Sequence, residues 1–230
     1  MIHLLFKKLK KRNMKKTILS LAIVTQGLWM TAQNTAKDVF SKDEIVWYGL
    51  DFSKSKMIGQ FDQGAGAAQA SGSDIKTKWI PSWNGVILAE PDKYDLKKTF
   101  RKTSVYKDLS IVEKNNASKI DPDNLLTYND YKFKNPDAEV AEVVAGYGKG
   151  EKTEGIGLVF IIESFDKTQK QASVYVTFFD IASKKVLFKE HLTGKGGGIG
   201  LRNFWARSIL EILKDIDEGV YKSWKKAFGG

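Results

Sequence analysis

The last third of the chain carries the clearest alternation of apolar and polar positions. Residues 156–162 (IGLVFII) are apolar on both alternating sets, as in a central strand covered on both faces. Residues 172–179 and 186–192 predict two further strands. The connecting stretches, 165–169 and 180–184, are too short for helical crossovers, so these strands are expected to form an antiparallel meander. Alternation in the last of them places Val186, Phe188 and Leu192 on one face and Leu187, Lys189 and His191 on the other. Beyond a glycine-rich run, Leu201, Trp205, Ile209, Ile212, Leu213, Ile216, Val220 and Trp224 recur at helical spacing. They predict a long helix over about 201–226 with one face in the core.

Upstream the signals are shorter. Residues 45–50 (IVWYGL) predict a first strand. Residues 63–73 (QGAGAAQASGS) are small and without apolar bulk, and predict a mobile loop. Pro81 suits the first turn of a helix carrying Trp83, Val86 and Ile87, which Pro91 ends. Asp92 then caps a short helix with Tyr94, Leu96 and Phe100. Residues 105–112 alternate as a second strand, while 115–118 (NNAS) and 121–124 (DPDN) read as turns. Asn135-Pro136-Asp137 opens a helix burying Val140, Val143, Val144 and Tyr147. The expected class is α+β: one mainly antiparallel sheet with a C-terminal three-strand meander, helices packed on it and a long C-terminal helix.

The N-terminal segment changes the reading of composition. A basic stretch (Lys7 to Arg12, Lys15, Lys16), an apolar run over 18–30 and the small residues Thr31-Ala32 are the parts of a secretory signal. Residues 1–32 are therefore expected to be removed, with Met14 as the true start and 33–230 as a single domain. The apolar run is too short and interrupted for a comfortable transmembrane span, which needs about 20 residues. Seven of the 37 Lys and Arg lie in residues 1–32, which hold no acid, so the excess of +10 falls to +3 for the remainder. The basic character belongs mostly to the targeting segment, and no nucleic-acid partner is expected. The chain contains no cysteine, which excludes thiol nucleophiles, thiolate metal sites and a lipid-modified N-terminal cysteine. Its two histidines are His3 and His191, too few for most zinc and triad chemistry.

Five features bear on chemistry. The run Lys195-Gly196-Gly197-Gly198, with Arg202, stands between a strand and a helix, where backbone amides can hold an anion. It lacks the Lys-Ser/Thr of a phosphate loop and reads first as a hinge. Trp79, Trp83 and Tyr94 could form an aromatic ligand platform, against the plainer reading as core. Asp121, Asp123 and Asp130 miss the spacing of a calcium loop and suit turn and cap duty. His191 beside Glu190 reads as a surface or cross-strand residue. Asp51 with Glu90 is the pair on which a carboxylate-only hydrolase would have to rest.

Residues 44–53 (EIVWYGLDFS), 90–94 (EPDKY), 155–160 (GIGLVF), 177–187 (TFFDIASKKVL) and 197–205 (GGIGLRNFW) resemble an uncharacterised exported family of Bacteroidota. The hairpin at 179–187 followed by a helix is also similar to envelope domains of the TolB N-terminal and curli-secretion lipoprotein types. That resemblance implies an assembly or adaptor role. The resulting expectation is a periplasmic or secreted, non-enzymatic binding domain without cofactor or metal, its partner another envelope protein. The alternative is a small-ligand or glycan-binding domain.

Overall fold

The computed structural model describes residues 33–62 and 68–229; the signal-peptide expectation for 1–32 and part of the small-residue loop, 63–67, lie outside them. Among the described residues seven strands form one mixed sheet: β1 Glu44–Asp51, β2 Lys56–Ile58, β3 Ser104–Lys107, β4 Leu126–Thr127, β5 Ile156–Asp166, β6 Gln171–Asp180 and β7 Val186–Lys195. The central strand is β5, buried at every residue, as the unbroken apolar pattern predicts. Along one side it pairs antiparallel with β6, and β6 with β7, which is the expected meander. Along its other side β1 occupies the first half and β2 the second, both parallel to β5. β3 flanks β1 and β4 flanks β2, again parallel.

The fold is therefore α/β, and the expectation of a mainly antiparallel α+β sheet is corrected. The cause lies in the connections. Chain long enough to hold helices separates β1, β3 and β5, and such crossovers return a strand parallel to the one before. One crossover was hidden because 105–112 reads as a strand. In the structure β3 ends at Lys107, and Ser110–Lys119 is a helix that also absorbs the expected turn at 115–118.

Other boundaries follow from local chemistry. The helix expected to begin at Pro81 begins at Gly72 and runs through 89, with a π turn at Ile75–Trp79 directly before the proline. Ser71 caps it by accepting from Asp74 N, and the widened turn accommodates a residue that lacks an N–H. The short helix Leu96–Thr99 is capped by Asp95 rather than Asp92. Asp121 and Asn135 cap their segments as expected. The long C-terminal helix runs over 201–228, with a second π turn at Ile216–Val220.

Helices pack on both faces of the sheet. One face, with Trp47, Leu158, Phe160 and Phe178, packs against Trp83, Trp205, Ile209 and Ile212 of the 72–89 and C-terminal helices. The other, with Val46, Tyr48, Val159, Ile161 and Phe179, packs against Val112, Val140, Val143 and Val144. A bulge at Leu187, where Phe178 faces Phe188 and Phe179 faces Val186, sends Val186 to the second face; simple alternation had placed it with Phe188. Gly194 lets the C-terminal helix approach β7, since a Cβ there would lie 2.0 Å from Ser208 O. Among the described residues no helix is long and apolar enough to cross a membrane.

Candidate functional site

The second sheet face changes character along β5. Its first half is apolar and helix-covered, whereas its carboxyl end turns polar at Glu163-Ser164. A bulge makes this turn: Ile162 pairs with Val174 and Ser164 with Ser173, leaving Glu163 as the extra residue. Phe165 thereby stays in the core, and the polar pair stays together beside β6. The open space next to it is a cavity of about 550 Å³. Its walls come from the carboxyl ends of β2, β5 and β7, the start of β6, and residues 130–132. Crevices at the carboxyl ends of parallel strands are where α/β sheets bind ligands.

Of the eleven residues lining the cavity, only Ile58 is wholly aliphatic. Ser164, Ser173 and Thr193 bring hydroxyls, Gln169 and Gln171 bring amides, and Asp130 and Asp166 bring carboxylates against the single lysine, Lys132. Asp166 accepts from Gln169 N at 3.0 Å, which shapes the β5–β6 turn that forms one wall.

His191 stands in this wall, half-exposed, with Nε2 at 3.3 Å from Oε2 of Glu163, whose side chain is only 3% exposed. The other Glu163 oxygen accepts from Phe133 N at 2.8 Å. Burial pushes the Glu163 carboxyl up, but the bonds from His191 and Phe133 and the charges of His191 and Lys132 outweigh it, so it is held below the usual range. Tyr175, opposite His191 in the ladder, lies between the His191 and Phe133 rings, at 4.6 and 5.4 Å. Burial first, then the Glu163 charge, push its phenol up to about 12. Lys189, on the same face, pairs with Asp137 at 3.0 Å.

The residues singled out from sequence lie elsewhere. Trp83 is core, against Phe52 and Phe165, and Tyr94 is buried with its hydroxyl donating to Ala206 O. Trp79 is half-buried beneath Lys78, and no ring contact joins the three. In the glycine run, Gly196 N donates to Lys170 O and Gly197 N to Phe204 O, while Gly196 also seats the Phe204 ring. Arg202 pairs with Glu90, and Lys195 is exposed at the end of β7. Asp51 is fully buried and accepts from Asn115 Nδ2 and the Tyr147 hydroxyl, each at 2.8 Å. Glu90 pairs with Lys93 and Arg202 at the surface, so the two carboxylates share no partner.

Sequence reasoning passed over Glu163 and undervalued His191. The available signal was a carboxylate directly following the apolar run 156–162, since a buried charge is rare unless paired. No family model, no curated protein and no solved structure matches this chain.

Proposed function

We propose that the chain is an exported, non-enzymatic binding domain of the cell envelope whose ligand is hydroxyl-rich and glycan-like. Its ligand enters the polar cleft at the carboxyl ends of β2, β5 and β7. The observation that carries this reading is the concentration of hydroxyl, amide and carboxylate groups on one end of an otherwise apolar sheet face. Carboxylates and amides bridge neighbouring hydroxyls of a polyol, and serine and threonine both donate and accept. Two carboxylates against one lysine disfavour an anion. The reading moves the ligand site away from Trp79, Trp83 and Tyr94, whose ring faces are used in packing.

His191 is the sole histidine of residues 33–230, so its ring protons give an isolated NMR signal. Titration with neutral oligosaccharides should shift that signal together with those of Gln171 and Thr193, and Gln171→Ala should weaken the effect at least tenfold. Shifts spread over the surface, or none across the panel, would remove the reading. Export is supported by the basic and apolar patterning of residues 7–32. Mass spectrometry of protein from the envelope fraction should find Gln33 as the N-terminus. A second reading, a protein adaptor, is favoured by one observation, the edge of β7 that no strand pairs among the described residues.

A further inference from the structure

Among the described residues β6 is the only strand partner of β7, so a ten-residue strand ends the sheet with one side unpaired. The helix Ala36–Ser41 touches its beginning, where Phe40 meets Phe188; from Glu190 onward Glu190, His191, Thr193 and Lys195 are exposed, Leu192 is half-buried and Gly194 is buried against the C-terminal helix. Beside His191, Leu192 and Thr193 runs a groove of about 610 Å³, whose far wall is the π turn of the C-terminal helix. Leu192 and Val220 are its apolar residues, and Asp215 and Glu218 its charged ones. The neighbouring acids Glu211 and Asp217 are consumed in ion pairs with Arg207, Lys214, Lys98 and Arg101. Among the described residues Asp215 and Glu218 enter none. Gly219 between Glu218 and Val220 leaves open space above the turn.

An unpaired strand edge offers backbone donors and acceptors in register for another extended chain. Side chains of an added strand alternate between the two sheet faces, so every second one would enter the groove. There it meets two uncompensated carboxylates on a partly apolar floor. We propose that the edge of β7 takes an added strand from a partner polypeptide, an extended segment with lysine or arginine at alternate positions and aliphatic residues between them. Backbone pairing supplies the docking, and Asp215 and Glu218 select the charge.

The test uses the full chain and a fluorescent peptide of alternating valine and lysine, read by anisotropy at low salt. The peptide should bind, its valine–glutamate counterpart should not, and D215N combined with E218Q should weaken binding at least tenfold. Both positions are exposed, so the variant should keep the wild-type circular dichroism. Methylating the peptide's amide nitrogens on one alternate set should abolish binding, and methylating the other set should leave it unchanged. This control needs no change in the protein. Equal binding of both methylated forms would mean charge attraction without strand pairing and would overturn the proposal. So would equal binding of the glutamate peptide, or no binding at millimolar peptide. Sedimentation showing a dimer that the peptide cannot dissociate would assign the edge to a second copy instead.

Discussion

The end of β1 allows a sharp energetic test. β3 pairs with β1 only as far as Trp47, and beyond it two buried asparagines take the place of a strand. Asn84 Oδ1 accepts from Leu50 N at 2.7 Å, and its Nδ2 donates to Leu50 O at 3.1 Å. Asn116 Oδ1 accepts from Phe52 N at 2.7 Å, and its Nδ2 donates to the same Leu50 O at 3.0 Å. Asn84→Ala therefore orphans Leu50 N but not Leu50 O, and Asn116→Ala orphans Phe52 N alone. Each single change should cost about 1–3 kcal/mol, the penalty for one buried unsatisfied group. The double variant also orphans the shared carbonyl, so it should cost about 1–2 kcal/mol more than the sum. Urea unfolding followed by tryptophan fluorescence measures all four proteins, with a common stabilising osmolyte if the double variant is marginal. Additivity within about 0.5 kcal/mol, at unchanged urea dependence, would refute the reasoning, because it would mean the carbonyl is not shared energetically.

Three further outcomes are expected. The Glu163 carboxyl is held below its ordinary value of 4.5, so its contribution is fully present above that pH and is lost as pH falls through the folded value. The stability difference between wild type and Glu163→Gln should thus shrink on acidification from about pH 6 to about pH 3, measured as urea midpoints. Gly194→Ala puts a methyl group 2.0 Å from Ser208 O and 2.9 Å from Ile212 Cγ1; it should destabilise by about 3 kcal/mol and lower Tm by roughly 6–12 °C. Tyr48 and Tyr175 are pushed up to about 12, Tyr48 by burial and then by the Asp108 charge. Their contribution is present below about pH 10 and lost as pH rises towards 12, so alkaline unfolding should coincide with phenolate absorbance in that window.

The patterns of sequence were sufficient wherever the physics is local. Apolar runs and short turns determine the meander, because a five-residue connection cannot reverse anything but an antiparallel pair. The stripe from Leu201 to Trp224 determines which side of the last helix is buried, and Asn135 and Asp121 announce their caps because capping uses neighbours in the chain. The direction of β1 relative to β5 was not legible, since it depends on what crosses between them, and Val105–Val112 alternates well enough to conceal a helix. Bulges at Glu163 and Leu187 displace the side-chain alternation by one residue, which no period-2 reading anticipates. The cleft escaped for the same reason. Glu163, Tyr175 and His191 are at least twelve residues apart in sequence and meet only because ladder register sets three strands side by side. Tryptophans that looked available from sequence were drawn into the core, where their large apolar surface is better buried. Hydroxyls and amides that carry no motif were left at the sheet's carboxyl end, where no helix covers them.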